Sequence, residues 1–198
     1  MMDKMKTINP PILYYGTPVI LLTTLNEDHS TNVSPLSSSW ALGHYMVLGL
    51  GLGSKALENL RHYPECVVNV ADPSLWEKVE KLAPLTGKNP VPAYKRHSFR
   101  YEKDKFAAAH LTKGRSENVK PLRVLECQLQ IESQLRNIRI PEYQPEFAIV
   151  EVEAVRIHAH RCILTGNDHI DSGKWSPLIY NFRHYFGLGA ELGKTFRA

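Results

Sequence analysis

The segment Pro18-Val-Ile-Leu-Leu-Thr-Thr24 is followed by the cluster Asn26-Glu-Asp-His29 and by the segment Thr31-Asn-Val-Ser-Pro35. The first segment is apolar and rich in β-branched side chains, which favours a strand. Asn, Asp and their polar neighbours in the second are typical of turns. The three segments therefore predict a β-hairpin near the start of the chain.

Further strands are predicted downstream of this hairpin. Residues 45–50 and 66–70 are short apolar runs, and residues 126–132 alternate between apolar and polar side chains. The alternation predicts a half-buried strand with its polar face in water. In residues 147–157 the apolar phase changes after Ala154, which indicates a β-bulge of the kind that curves a barrel.

Helices are few in the sequence pattern. One is predicted over residues 55–63 and another over residues 72–84, where Ser74 and Glu77 have the spacing of a capping box. Residues 86–121 lose this periodicity, and we expect them to form a long excursion over the surface. These elements predict one domain over residues 1–198, a mainly β fold built as an antiparallel barrel with a few short helices.

Composition and charge exclude several classes of protein. The chain has 198 residues, of which 43% are hydrophobic and 22% charged, as in ordinary globular proteins. The net charge of +4 is modest and its lysines and arginines are scattered, so we expect no nucleic-acid partner. A small anionic ligand agrees better with this charge.

The cysteines and the start of the chain indicate a compartment. Cys66, Cys127 and Cys162 are odd in number, lie far apart and form no CxxC pair, which argues against a disulfide framework or a zinc ribbon and favours a reducing environment. Residues 1–7 lack the apolar stretch of a signal peptide, and no run is long enough to span a membrane. We expect a cytoplasmic protein without a membrane partner.

Two segments are candidates for ligand binding. Gly51-Leu-Gly-Ser-Lys55 places small residues at a predicted helix start, where free N–H groups favour an anion, although a tight turn with a serine cap would have the same sequence. Asn32-Val-Ser-Pro-Leu-Ser-Ser-Ser39 concentrates hydroxyls and an amide, as a polar loop or the wall of a flavin site would. Trp40 would pack either on a flavin ring or in the core.

The order of several motifs resembles the flavin-reductase-like, FMN-binding split-barrel family. The matching stretches are Gly16-Thr-Pro-Val19, Asn32-Val-Ser-Pro-Leu-Ser37, Ser54-Lys-Ala-Leu-Glu-Asn-Leu60, Val67-Val-Asn-Val70, Asp104-Lys-Phe106, Glu126-Cys127 and the segment 175–189. The likeness covers nearly the whole chain. It implies a split β-barrel and a homodimer with FMN at the subunit interface.

The resemblance also implies site residues. FMN would lie along Asn32, Ser34, Pro35, Leu36, Ser37 and Ser38, with Ser54, Lys55 and Asn59 near its phosphate. Lys105 matches a lysine that relatives direct at the flavin, where a cation would stabilise negative charge on the ring; the alternative is a solvated surface lysine. Many relatives carry Thr at the position of Ala56, so one hydroxyl contact to the phosphate is absent here or is made by Ser54.

Two other groups of residues are candidate sites. His158, His160 and Cys162 lie at alternating positions, a pattern that can bind zinc or copper, but no second ligand cluster follows, and we expect no metal site. His184 and Tyr185 are candidates for lining a substrate pocket, with packing as the alternative. No residue is assigned as catalytic.

The function expected from this resemblance is an FMN-dependent oxidoreductase. NAD(P)H would reduce the flavin, and the electrons would pass to an acceptor such as free flavin. The alternatives are a non-catalytic FMN protein, acting as an electron carrier or redox sensor, and a split barrel that has lost its cofactor.

Overall fold

The computed structural model of the chain describes residues 5–196. Its strands are β1 (Tyr15–Pro18), β2 (Ile20–Leu25), β3 (Thr31–Leu36), β4 (Ser39–Leu42), β5 (Tyr45–Gly51), β6 (Glu65–Val70), β7 (Leu85–Thr86), β8 (Arg100–Tyr101), β9 (Lys113–Gly114), β10 (Arg123–Val124), β11 (Leu129–Arg139), β12 (Phe147–Ala159), β13 (Leu164–Thr165), β14 (His169–Ile170), β15 (Ile179–Asn181) and β16 (His184–Phe186). The α-helices are α1 (Lys55–His62), α2 (Trp76–Leu82) and α3 (Lys105–Ala108), and 3-10 helices span Pro73–Leu75, Ala93–Lys95 and Arg161–Ile163.

Seven of these strands form a curled antiparallel half-barrel in the order β3-β2-β6-β11-β12-β5-β4. A smaller antiparallel sheet has the order β1-β15-β16, and the remaining strands pair as β9 with β10, β13 with β14 and, in parallel, β7 with β8. The mainly β, antiparallel barrel architecture predicted from the sequence is therefore confirmed.

The hairpin predicted at the start of the chain is strands β2 and β3. Ile20 pairs with Leu36, and Leu25 pairs with Thr31. The turn is closed by the Asn26 N–H, which donates to the Ser30 carbonyl at 2.8 Å. Because the sheet order leaves β3 at one edge, its outer backbone groups have no strand partner.

Strand β2 separates two hydrophobic cores. Leu21 belongs to an outer core formed with α2 and α3, whereas Leu22 faces the barrel interior, where α1 packs. Every residue of β2 is buried. This two-sided burial explains why its sequence is a continuous apolar run instead of an alternating one.

The bulge predicted in β12 is confirmed. Glu132 lies opposite Arg156 and Ser133 lies opposite Ala154, so Val155 is an extra residue on the β12 side. Such an insertion bends the strand and increases its twist, which agrees with the phase change of the sequence at this position.

The strand predicted over residues 126–132 begins later and is buried differently. Strand β11 starts at Leu129, and the polar side chains of Gln130 and Glu132 are buried, so the prediction of a water-facing polar face was wrong. Residues 115–124 cover this face: the Glu132 carboxylate accepts hydrogen bonds from the backbone N–H groups of Glu117 at 2.9 Å and Asn118 at 2.6 Å. These partners lie 14 and 15 residues away along the chain, beyond any local pattern.

The capping box predicted for the second helix was also wrong. Asp72 is the cap instead, and its carboxylate accepts from the N–H of Ser74 at 2.8 Å and from the Ser74 hydroxyl at 2.6 Å. This cap starts a 3-10 turn over residues 73–75, after which α2 begins at Trp76. The helix ends before Pro84, as predicted.

The surface excursion predicted over residues 86–121 is only partly on the surface. Phe106 and Ala109 are buried in the outer core beside α2, and Lys105 is buried with them. The Asp104 carboxylate caps α3 by accepting from the Ala107 N–H at 3.2 Å. A helix of four residues is too short to produce a periodic signal in the sequence.

Within residues 5–196, no helix is long and apolar enough to cross a membrane. Cys66 and Cys127 are free thiols in the core, and Cys162 is a free, exposed thiol. Residues 1–4 of the charged start lie outside the described part of the chain.

Candidate functional site

Lys105 is a buried cation at the start of α3. Only 3% of the residue is exposed, and its Nζ donates to the backbone carbonyl of Val33 at 3.0 Å. Among the described residues no carboxylate forms an ion pair with it. The interpretation of Lys105 as a solvated surface lysine is therefore wrong.

The environment of Lys105 opposes its positive charge. Burial and, to a smaller extent, the positive charge of the nearby Lys95 together lower its pKa to about 8. A buried cation without a counter-ion is unfavourable unless an anion or a strong acceptor joins it. This side chain is therefore suited to hold a negatively charged or electron-rich ligand against β3.

Three further lysines converge on the start of α1. The ammonium groups of Lys55 and Lys88 both contact the Glu58 carboxylate, the Lys88 contact being 2.5 Å long. Partial burial acts to raise the pKa of Glu58, but the hydrogen bonds from the two lysines outweigh it and hold this pKa below its usual value. Glu58 is therefore a charged carboxylate between two cations.

Lys95 brings the third positive charge to this place. Its Nζ donates to the carbonyl of Gly53 at 3.2 Å, and burial together with the charge of Lys88 lowers its pKa. The phenol oxygen of Tyr94 lies 1.6 Å from the point where a Cβ on residue 53 would stand, so any side chain there would displace Tyr94. Tyr94 and Lys95 therefore lie against the turn that precedes α1.

The start of α1 is organised by Ser54. Its hydroxyl oxygen accepts from the Leu57 N–H at 3.2 Å, and its own N–H donates to the Gly51 carbonyl at 2.9 Å. The serine-cap interpretation is confirmed, and a phosphate contact through the hydroxyl proton stays a prediction. Ala56 is fully buried in the barrel core and contributes packing without a hydroxyl group.

The polar segment that begins at Asn32 lies along the edge strand β3. Asn32 is 2% exposed, and its amide donates to the Ser34 hydroxyl at 3.1 Å. Pro35 carries no N–H, which suits an edge position. Beyond the end of β3, the Ser38 hydroxyl lies 2.7 Å from the Tyr14 hydroxyl. The segment thus offers unpaired backbone groups and partly buried hydroxyls to a ligand.

Asn32 and Lys55 meet at Gly87. A Cβ on residue 87 would stand 2.8 Å from the Asn32 Oδ1 and 3.1 Å from the Lys55 Cγ. The edge strand, the start of α1 and the residue 87–105 segment therefore converge at one place. A side chain at residue 87 would displace the side chains of Asn32 and Lys55 from this position.

Asn59 is directed into the protein. It is 1% exposed, and its amide donates to the Thr24 hydroxyl at 3.1 Å and to the Asn26 side-chain oxygen at 2.8 Å. These bonds join α1 to the β2–β3 hairpin. They give Asn59 a structural role, and its expected proximity to a phosphate stays a prediction.

The sequence did not single out Gly87, Lys88 and Lys95 as site residues. The only local signal was a basic, Gly- and Pro-interrupted stretch, which is equally typical of a surface loop. Their role depends on contacts with residues more than 25 positions away, such as the bond from Lys95 to Gly53. Leu36 and Ser37, which belong to the polar segment that begins at Asn32, are half-buried.

His184 and Tyr185 lie on the β15–β16 hairpin and line a separate cavity of about 550 Å³ with Trp76 and Glu80. The Tyr185 hydroxyl donates to the Glu80 carboxylate at 2.7 Å. Burial raises the pKa of Tyr185, and the Glu80 contact adds to the effect. Tyr185 therefore remains neutral and links the hairpin to α2; a substrate role for either residue stays a prediction.

The His158, His160 and Cys162 side chains have different partners. His158 binds the buried Glu132 at 2.7 Å, whereas His160 Nδ1 lies 2.8 Å from the Cys162 Sγ beyond the end of β12. In residues 5–196 no group of three or more His, Cys, Asp or Glu side chains is arranged to hold a metal ion.

Comparison with protein families identifies the chain. A family model described as the flavin reductase like domain matches residues 12–189. The chain belongs to the flavin reductase-like domain family. This flavin reductase-like protein is 55% identical over 196 residues to the uncharacterized protein YdfE of Bacillus subtilis (strain 168), a match that covers 98% of this chain and 95% of YdfE.

Solved structures have the same fold. The flavoredoxin of Desulfovibrio vulgaris (Miyazaki F) has a TM-score of 0.81 at 19% identity, and 98% of each chain is covered. Component B of nitrilotriacetate monooxygenase from Bacillus cereus has a TM-score of 0.76 at 18% identity, with 97% of this chain and all of the other covered. The split β-barrel expected for this flavin reductase-like protein is therefore confirmed, and its family membership points to a flavin as the cofactor.

Proposed function

We propose that this protein is an FMN-dependent NAD(P)H oxidoreductase that passes electrons from a nicotinamide through flavin to an acceptor, such as free flavin. The observation that carries the proposal is the buried Lys105 ammonium beside the edge strand β3. Its position supplies a positive charge next to unpaired backbone groups. A flavin has an electron-rich ring edge and a phosphate, and both would be stabilised here.

The residues around Lys105 fit an FMN molecule in character. The ring would lie along Asn32, Ser34, Pro35, Leu36, Ser37 and Ser38, beside Lys105. The phosphate would lie at the helix start formed by Ser54 and Lys55, where N–H groups and partial positive charge favour anions. Lys88 and Lys95 add two cations to that end, and Asn59 supports the helix behind it.

The flavin supplies the hydride and electron-transfer chemistry when bound. The chain binds and orients it, holds positive charge at Lys105 and leaves room for a nicotinamide. We assign no side chain as general acid or base. Component B of a monooxygenase among the structural neighbours supports an acceptor outside this protein.

A flavoredoxin among the structural neighbours favours one alternative, a non-catalytic FMN protein that acts as an electron carrier or redox sensor. Both functions need bound flavin and differ in whether NAD(P)H reaches it. We propose that the protein works in the cytoplasm, whichever of the two functions it has. The reducing cytoplasm keeps cysteines as free thiols, which agrees with the three free cysteines of this chain, and it also holds the reduced nicotinamide that the oxidoreductase would use.

We propose that the protein acts as a homodimer. A groove of about 890 Å³ is lined by Tyr14, Ser38 and Trp40, among others. Beside it the large side chains of Leu13, Tyr15, Trp40, Leu42 and Tyr45 are between 52% and 78% exposed. Exposed apolar patches of this kind are typical of interfaces, and this one adjoins the ring end of the proposed flavin site.

A binding and reduction experiment tests the function. Purified protein freed of ligand should gain thermal stability on addition of FMN and absorb near ~450 nm, because a ligand that binds the native state stabilises it. NADH or NADPH should then bleach this absorbance under nitrogen. Flavin binding without bleaching would favour the carrier, and no FMN-dependent rise in Tm would favour a split barrel without cofactor.

A further inference from the structure

We propose that Glu58 is an internal counter-anion of the phosphate end of the site and keeps FMN exchangeable. The inference rests on the proposed function. Glu58 lies in the first turn of α1 and contacts both Lys55 and Lys88. Lys55 is the first residue of the helix that a phosphate would approach, and Lys88 reaches the same carboxylate from the segment that follows Gly87.

The carboxylate of Glu58 is held between the ammonium groups of Lys55 and Lys88. Its side chain is 30% exposed, and the side chains of Lys55 and Lys88 are 14% and 24% exposed. The three groups form a partly buried cluster in which charges interact more strongly than on an open surface. An incoming phosphate therefore meets a negative charge that already holds the ammonium groups it requires.

Two consequences follow from this competition. Glu58 raises the free energy of bound FMN by repulsion of its phosphate and by sharing two lysines. It has no such effect on riboflavin, which has the same ring and ribityl chain but no phosphate. Glu58 is thereby a specificity-determining residue that reduces the advantage of FMN over riboflavin and shortens the residence of FMN.

The test compares Glu58→Gln with the unsubstituted protein. The amide retains the size of the carboxylate and removes its charge. Ligand-free proteins are titrated with FMN and with riboflavin at low salt, and the quenching of flavin fluorescence reports the Kd. We expect Glu58→Gln to tighten FMN about tenfold, equivalent to about 1.4 kcal/mol, and to change riboflavin binding less than about twofold. Stopped-flow dilution should show the FMN gain mainly as slower dissociation.

Two controls accompany the titration. Glu142→Gln removes the same charge from an exposed side chain between β11 and β12, and it should leave both affinities unchanged. Lys88→Met in the Glu58→Gln background should remove much of the FMN gain, because one of the freed cations is then missing. Circular dichroism and Tm establish that each variant is folded.

The outcomes separate this inference from the proposed function. If neither flavin binds the unsubstituted protein, the proposed function fails and this inference fails with it. If FMN binds but Glu58→Gln leaves its affinity unchanged or weaker, Glu58 orients the lysines and this inference alone is overturned. Equal tightening of FMN and riboflavin would also overturn it.

Discussion

The ammonium group of Lys105 donates to the backbone carbonyl of Val33 across 3.0 Å, although the two residues are 72 positions apart. The bond joins the first residue of α3 to the edge strand β3, whose outer side carries the polar segment of the site. A buried cation held by one carbonyl is costly to the folded chain. Its retention is explained if a ligand supplies the missing negative charge.

Lys105→Met should weaken FMN binding while it stabilises the ligand-free protein. The substitution removes a buried charge and one hydrogen bond, so we expect the ligand-free protein to become more stable by about 1–3 kcal/mol at pH 7. FMN affinity should fall by roughly tenfold or more, since a charge-assisted contact is lost. Urea unfolding and fluorescence titration measure the two effects. Lys81→Met, on the exposed face of α2, should change neither; an unaltered FMN affinity in Lys105→Met would remove this residue from the site.

The stability of the ligand-free protein should depend on pH through Lys105. Its pKa is lowered to about 8 in the folded chain from an ordinary value of 10.5. Below pH 8 the side chain is charged in both states, so the whole cost of burial is present. Between pH 8 and 10.5 the unfolded chain binds more protons, and this residue's contribution to stability rises with pH.

The comparison with Lys105→Met isolates this effect from other titrating groups. The stability advantage of the variant should be largest at pH 7 and should shrink towards pH 10. FMN affinity of the unsubstituted protein should fall as pH rises through 8, and that of the variant should not follow the same profile. Parallel pH curves for the two proteins would contradict the assignment of the lowered pKa to Lys105.

Gly49→Ala should disturb the ring end of the site. A Cβ on residue 49 would stand 2.9 Å from the Cβ of Ser38, whose carbonyl accepts from the Gly49 N–H at 2.8 Å. The backbone of Ser38 must move, which should cost about 1–3 kcal/mol and weaken FMN binding several-fold. Gly189→Ala is the matched control, because no atom beyond its chain neighbours lies within 4 Å of its added Cβ. Equal Tm and Kd values for the two variants would argue against this contact.

Asn59→Ala should lower the stability of the folded protein. The variant leaves the buried Thr24 hydroxyl and the Asn26 amide oxygen without their donor, and we expect a loss of about 2–3 kcal/mol in the free energy of unfolding. Urea denaturation checks it, with the exposed Asn167→Ala as control. A variant of normal stability that fails to bind FMN would instead assign Asn59 to direct phosphate contact.

Trp40→Glu should disrupt the proposed homodimer. The side chain is 59% exposed on the apolar patch, and a charge there cannot be buried against a second copy without a large penalty. Sedimentation equilibrium should show a dimer for the unsubstituted protein and a monomer for the variant, with weaker FMN binding. Tyr143→Glu, 79% exposed on a loop, should remain dimeric. A monomeric unsubstituted protein would refute the dimer.

Local patterns predicted the elements whose stabilising contacts are themselves local or periodic. The β2–β3 hairpin, the Ser54 cap of α1 and the bulge at Val155 follow from turn residues, capping geometry and apolar phase, so the sequence alone located them. Where a competing local option existed the prediction failed: Asp72 and Ser74 can both cap a helix, and the carboxylate of Asp72 took that position.

The class of the fold and the polar segment that begins at Asn32 were predictable from the sequence, since strand alternation and the order of motifs are properties of the chain. The burial of Glu132 and Lys105, and the position of Lys88 and Lys95 at the start of α1, depend on tertiary contacts. The sequence of a charged loop is the same whether its side chains are exposed to water or packed against one another. Their burial and pKa values depend on distant neighbours, and only folding brings those neighbours into contact.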